Sequence, residues 1–567
     1  MRRDRQRPLQ DGHVGRPPGA EISVGRRGLG PTLDNWVRCT FLLPLRVRTG
    51  IDRIAGADAA SGRFAGASAF QITSDELIAG LAGIRRYDLH HEFPDVLNFR
   101  DLAESPHLLG LMVARRGWYP SDEPYPPKVM RATTFPYPKL INGIRDMAQL
   151  HVVDRLVDRA IVARIGQSID AALSDRMYAN RLAITGPEWT LCEYPQAYGA
   201  YHEARLESLR ENAWPYTLIT DLTRFYPSIR RDVLTGLLRR LGCDPEAVAT
   251  LGEQLAVWQD RDHLAGLPIG DESFGVISAP VLAPIDVALR QIASDHFFYS
   301  DDLTLFAKSA SAGRAAKDAL DGLVAEAGFK LNSGKTYEYF NPVSAEEAIR
   351  NEALDYIDAM DVFEADMTRD RIYALWDEFL SSGALVDPRQ RSTVHFVLGR
   401  LGRAKDRYAV GGLIRRPDIM QMTPKNAVRY LLTVAADDRP TYAAMLHLAH
   451  APVTPANEAL VLHALRYIAE RPRDDQLIVP CLQVLDGKAH APTRAWAAMA
   501  YRSAPSWDQM QVLERAEAEP NYWIGRAELA STKGSTKAPR VRRHLLMAIG
   551  KERPDMAATC EYALRAA

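Results

Sequence analysis

Phe297-Phe298-Tyr299-Ser300-Asp301-Asp302-Leu303-Thr304-Leu305-Phe306 sets two short apolar runs on either side of two adjacent acids. Apolar runs of this length around a polar centre read as a buried β-hairpin, its turn lifting Asp301 and Asp302 out of the sheet. Carboxylates held side by side repel, so a fold that keeps them together neutralises them with a divalent cation or a shared proton. The cation, Mg2+ or Mn2+, is the stronger expectation; a solvated turn is the plain alternative.

Upstream, Tyr216-Thr217-Leu218-Ile219-Thr220-Asp221-Leu222-Thr223-Arg224-Phe225-Tyr226-Pro227-Ser228-Ile229 is a β-type apolar run that ends in an acid and continues into two aromatics. Asp221 is placed to bind metal, the Leu222 carbonyl could assist, and Phe225 and Tyr226 follow within five residues. The two stretches resemble motifs A and C of reverse transcriptases. Their order and the separation of 80 residues between Asp221 and Asp301 suit the palm domain of that family. The resemblance implies that Asp221, Leu222, Asp301 and Asp302 hold the metal. It also implies that Tyr226 packs under the sugar of an incoming nucleotide while its neighbour Phe225 turns to the core.

Between Met130 and Arg145 runs a Pro-punctuated extended piece with a turn at Asn142-Gly143, the strongest short hairpin signal, which sets Lys139 and Arg145 on facing strands. Leu150, Val153, Leu156, Val157, Ala160, Ile161 and Ile165 then recur at helical spacing around Asp154-Arg155. This resembles the fingers of the same family, where an Arg in the position of Arg145 contacts the nucleotide triphosphate, a task suited to a bidentate guanidinium. Two solvated charges are the alternative for Arg145 and Lys139.

Gly266-Leu267-Pro268-Ile269-Gly270 is similar to the opening of motif B in abortive-infection and other defence-associated reverse transcriptases, which implies that Gly270 belongs to a loop backing template and primer. The continuation departs from the pattern. Phe274 stands where relatives keep a Ser, and Phe298 where many carry an Arg. Gly328-Phe329-Lys330-Leu331-Asn332-Ser333-Gly334-Lys335-Thr336, after an amphipathic stretch from Ala315 to Ala327, looks like motif D. There Lys335 would serve as general acid for the leaving pyrophosphate, unless it is an ordinary solvated lysine.

A chain of 567 residues is too long for one core and suggests two to four domains. The formal net charge of −1 is silent about partners, because local patches attract nucleic acid. The five cysteines stand far apart with no Cys-x-x-Cys pair, so neither a zinc site nor a disulfide framework is indicated. No apolar run reads as long enough to span a bilayer, and the N-terminus lacks the apolar core of a signal peptide. The first 48 residues hold ten Arg, no Lys and four acids. Residues 1–72 are therefore expected to be a disordered basic extension, either a phosphate-gripping arm or the product of a misplaced start codon.

Folded segments are expected at 73–205 (fingers), opening with a helix capped by Ser74, and at 206–345 (palm). Beyond 346 the chain turns to Ala, Leu and Arg at helical spacing. Pro424, Pro440, Pro455, Pro472, Pro492, Pro505 and Pro520 fall 13 to 20 residues apart, several of them at helix starts. Residues 346–567 thus read as stacked short helices resembling the HEAT-like repeat domain of abortive-infection reverse transcriptases. Such a domain is a scaffold by default, offers a surface for homo-oligomers, and could line a nucleic-acid channel with Arg391, Arg400 and Arg403.

The expected fold is α+β, with fingers and palm followed by an all-α domain. The resemblance implies a bacterial cytoplasmic, RNA-directed DNA polymerase. It would act on deoxynucleoside triphosphates with RNA or DNA, in some relatives without template and from a protein primer, in defence against phage. Two alternatives remain open: an inactive helical-repeat module that binds nucleic acid, and an RNA polymerase on a palm fold.

Overall fold

The computed structural model describes residues 70–88, 91–116, 129–138, 143–354, 369–381, 388–471, 478–502, 504, 507–535 and 538–565. Lys139, Asn142 and residues 1–69 of the expected extension lie outside the described residues; its last residues, expected to be disordered up to 72, instead bury Phe70 and Ile72 in the main core. The described residues form a mixed α and β structure within one compact unit that begins at Gly62.

The centre is a four-stranded antiparallel sheet of β5 (Tyr216–Asp221), β6 (Asp295–Tyr299), β7 (Asp302–Ala307) and β8 (Tyr337–Tyr339), in the order β6-β7-β5-β8. Alternation decides its two faces. Tyr216, Leu218, Leu303, Leu305 and Phe298 join the main core, where the Ala310–Glu326 helix packs so closely that a Cβ at Gly313 would collide with the Tyr216 ring. Ile219, Phe297 and Phe306 point the other way, into a smaller core with Tyr198, Tyr201, Leu209 and Trp214. That second face is covered by the Tyr194–Asn212 and Pro342–Leu354 helices.

The expected hairpin before Gln149 is present: β1 (Thr133–Pro138) pairs antiparallel with β2 (Ile144–Gln149), and Tyr137 stands opposite Arg145. A second, small hairpin joins β3 (Leu182–Ile184) to β4 (Thr190–Leu191). The helix read from Leu150 onward spans Val152–Ala172, capped by His151. Two of its arginines reach the helix Glu272–Ser278: Arg155 Nε donates to Asp271 Oδ2 at 2.8 Å, and Arg159 Nη1 to Glu272 Oε2 at 2.7 Å. The helix beginning at Ser74 is capped one residue earlier than expected. Thr73 Oγ1 accepts from the Glu76 amide and Glu76 Oε2 from the Thr73 amide, a reciprocal capping box.

Helical residues 272–292 correct one expectation. The stretch Glu272–Ile292 is long and apolar enough to cross a membrane, and 72% of its apolar window is buried inside the protein. Burial on that scale marks a core element, whose continuous apolarity reflects contacts on all sides.

The C-terminal helices begin at prolines as read: Pro424–Val434 and the helices at Arg439–Ala449 and Ala491–Tyr501 carry Pro in their first turn. Pro424–Val434, Glu458–Glu470, Ala491–Tyr501, Tyr522–Ser531 and Ala557–Leu564 pack one against the next. Along this row lies the segment from Glu92 to Glu104, and each helix grips it. Lys425 Nζ bonds Glu92 Oε1 (2.9 Å), His463 Nε2 the Glu92 carbonyl (2.8 Å), Trp496 Nε1 the Pro94 carbonyl (3.1 Å), and Thr559 Oγ1 the Asp101 carboxylate (2.6 Å). Arg526, fully buried, pairs with both Asp95 and Asp101. The main core accordingly contains Phe70 and Leu546 alike, and a second core joins Phe93 and Phe135 to Val428 and Trp496. The boundary expected near residue 345 does not separate independent cores.

Arg391 also belongs to this seam. Burial raises the Glu92 carboxyl, but the charge of Lys425, hydrogen bonds from Tyr137 and Lys425, and last the charge of Arg391 outweigh it and bring it down to about 2. Arg391 is thus one of the charges that act on this carboxylate of the Glu92–Glu104 segment. The Arg400 guanidinium lies over the Phe396 ring at 5.5 Å.

Candidate active site

Antiparallel register brings the acids together. Asp221, last residue of β5, is the partner of Asp302, first residue of β7, and Asp302 is also the partner of Tyr299 at the end of β6. Residues paired across adjacent strands point to the same face, so Tyr299, Asp302 and Asp221 form a row along one edge of the sheet. Asp302 is therefore a strand residue, and the turn lifted out of the sheet is Ser300-Asp301. Ser300 adopts φ +55° to make that two-residue connection. The Leu222 amide donates to the Asp301 carbonyl at 3.2 Å, which ties the two expected metal-binding stretches by their backbones.

The segment after the Ala310–Glu326 helix closes the row. The Asn332 amide donates to the Asp221 carbonyl (2.9 Å), the Thr223 amide to the Lys330 carbonyl (2.8 Å), and Thr220 Oγ1 bonds Thr336 Oγ1 (2.8 Å). So anchored, Lys335 extends its Nζ to Asp221 Oδ2 at 2.6 Å. Burial disfavours its ammonium, yet the bond to Asp221 and the fields of Asp302 and Asp301 prevail and hold its pKa above that of a free lysine. Burial pushes the Asp301 carboxyl above its ordinary range and the Asp221 charge pushes it the same way, while Lys335 and Arg145 pull it down. Arg145, exposed on β2, thus projects its charge onto this acid.

Asp221 is 6% exposed, and among the described residues no group hydrogen-bonds its Oδ1. A buried carboxylate oxygen without a partner, beside a second carboxyl of raised pKa, suits a cation. Among the described residues no three His, Cys, Asp or Glu side chains form a ready-made metal cage. The donor set is nevertheless one that Mg2+ uses, since this ion keeps several waters and takes one or two carboxylates together with substrate phosphates. Asp221 and Asp301, with the backbone at Leu222, would hold it.

Tyr226 and Phe225 separate as read. Phe225 is 3% exposed and packs on Phe329 with ring centroids 5.4 Å apart, so it supports the site from the core and does not line it. Tyr226 is half-buried. Its hydroxyl is raised in pKa by burial and by Asp301, against side-chain hydrogen bonds to Ser278, Ser300 and Asn180. These three come from three separate segments: Ser300 lies in the hairpin stretch and Ser278 in the continuation of the Gly266–Gly270 motif, while nothing in the sequence pointed to Asn180. The backbone is fixed as well: the Leu267 amide donates to the Tyr226 carbonyl at 2.9 Å, and a Cβ at Gly266, φ +60°, would collide with that carbonyl.

Gly270 is fixed by contacts to two distant segments. Its carbonyl accepts from His91 Nε2 at 2.7 Å, the preceding Ile269 carbonyl accepts from the Ala148 amide at 2.7 Å, and a Cβ at Gly270 would press on Met147, Ala148 and His91. It joins the loop to β2 and to His91, next to the Glu92–Glu104 segment. No protein-family model matches the chain, and no curated protein matches it in sequence.

Proposed function

We propose that the protein is a nucleotidyltransferase that extends a DNA strand, with the four-stranded sheet as a reverse transcriptase palm and the β1/β2 hairpin as its fingers. The observation that carries this reading is the register-fixed pair Asp221 and Asp302 with Asp301 on the adjoining turn, where one buried Asp221 oxygen lacks a partner among the described residues. Divalent cations bound there would supply activation of the attacking 3′ hydroxyl and charge stabilisation at the leaving oxygen.

The residues around the acids fit the remaining tasks. Arg145 is placed to meet the triphosphate with its fork of donors. Tyr226, held by its hydroxyl and by its backbone, presents a ring that cannot yield to a ribose 2′ hydroxyl without strain, which favours deoxyribonucleotides. Lys335 is already charged and close to the acids, and it can transfer its contact from Asp221 to the phosphates once a cation takes the carboxylate. The C-terminal helices, read as HEAT-like repeats, brace the fingers through the Glu92–Glu104 segment. A role in phage defence, RNA as template, and assembly through the repeat helices rest on the resemblance of the motifs.

The test is incorporation of labelled deoxynucleotides by the full-length protein with Mg2+ or Mn2+, in parallel with and without an RNA template and oligonucleotide primer. Incorporation of deoxynucleotides in preference to ribonucleotides supports the reading. No incorporation under any of these conditions contradicts it.

A further inference from the structure

Next to the acids the sheet carries a group of tyrosines that none of the roles above uses. Tyr299 sits at the end of β6 with Tyr198 at 5.0 Å and Tyr201 at 5.5 Å between ring centroids. Tyr194 stacks on Tyr198 at 5.7 Å with an interplanar angle of 23° and meets Tyr299 edge-on at 5.9 Å. Tyr198 and Tyr201 are buried and complete the small core on that face, but Tyr194 is 43% exposed. A core needs no fourth tyrosine at its rim with nearly half its surface in water.

We infer that Tyr194, backed by Tyr198 and Tyr299, is a stacking platform for the 3′-terminal base of the strand being extended. Register supplies the position. Tyr299, Asp302 and Asp221 are neighbours across three adjacent strands, and strands lie about 4.8 Å apart, so Tyr299 is about 10 Å from Asp221 along the same face. A nucleotide whose 3′ hydroxyl approaches Asp221 and Asp301 has its base within that distance. An aromatic array there holds any base by its π face, independent of sequence. The ring of Tyr194 is preorganised because it opens a 19-residue helix with Pro195 in its first turn.

This inference rests on the polymerase reading, and its test separates the two. A fluorescein-labelled single-stranded oligodeoxynucleotide is titrated against wild type, Tyr194→Phe and Tyr194→Ala, and again with an abasic 3′ terminus. Tyr194→Ala is expected to weaken binding about tenfold or more, as loss of one stacked base does, while Tyr194→Phe binds like wild type. The abasic terminus should weaken wild type by a similar factor and leave Tyr194→Ala unaffected. Equal binding by wild type and Tyr194→Ala, or an abasic penalty that persists in Tyr194→Ala, overturns the platform while incorporation by wild type leaves the polymerase reading standing. A wild type that neither binds the oligonucleotide nor incorporates nucleotides overturns both.

Discussion

Lys335 holds Asp221: its Nζ lies 2.6 Å from Oδ2, although 63% of the lysine side chain is exposed. The lysine holds one oxygen of a carboxylate whose other oxygen, Oδ1, is the one open to a cation, so the two positive charges oppose each other at one group. Lys335→Ala should therefore lower the Mg2+ concentration giving half-maximal incorporation. The maximal rate should fall about 10²-fold or more, the scale of a lost general acid. A Mg2+ titration of both proteins decides; unchanged rate and unchanged Mg2+ dependence would make Lys335 an ordinary surface lysine.

The folded Asp301 carboxyl binds its proton more tightly than the ordinary value of 3.8 allows, chiefly through burial and then through Asp221. Because the folded state retains this proton longer than the unfolded chain does, stability falls as pH rises from the ordinary carboxylate range through the raised value, then levels off. Asp301→Asn should flatten that decline in the melting temperature. Mg2+ should stabilise wild type above this interval and lose its effect below it. Melting curves across pH, with and without Mg2+, check both expectations.

Tyr226→Ala should raise incorporation of ribonucleotides relative to deoxyribonucleotides, whereas Tyr226→Phe, which loses only the hydroxyl tethered by Ser278, Ser300 and Asn180, should keep most of the selection. Competition between the two nucleotide types reads this directly. An identical sugar preference in wild type and Tyr226→Ala would remove Tyr226 as the gate and favour an RNA polymerase.

Arg526 and Asp101 are both fully buried and hydrogen-bonded at 2.8 Å. Arg526→Ala strands two carboxylates in the interior and should cost about 3–5 kcal/mol in denaturant unfolding. Truncation after residue 345 removes all five helices that grip the Glu92–Glu104 segment and bares the apolar surface around Phe93 and Phe135. The fragment is expected to aggregate. A monodisperse, active fragment would make the C-terminal helices a separable module.

The acids were legible in the sequence because local pattern fixes them: two apolar runs make β6 and β7, one more makes β5, and register follows from alternation. The seam around Arg526 was not, since its partners lie 425 residues apart and a buried arginine looks like any surface arginine in a helical pattern. The anchorage of Gly270 was hidden for a related reason. Its motif suggested a place beside the substrate strand, while the contact that constrains it comes from His91, 179 residues earlier. Asp302 was expected in the turn and lies in the strand, because a two-residue connection leaves room for Ser300 and Asp301 only. Tyr194 gave no signal of its own; only the fold brings it to Tyr299.

The most direct test of the central claim is nucleotide incorporation by the double variant Asp301→Asn, Asp302→Asn, which keeps side-chain shape and removes ligand charge. With melting behaviour showing an intact fold, the account predicts that incorporation with Mg2+ or Mn2+ is abolished. A folded double variant that incorporates nucleotides as fast as wild type would contradict it.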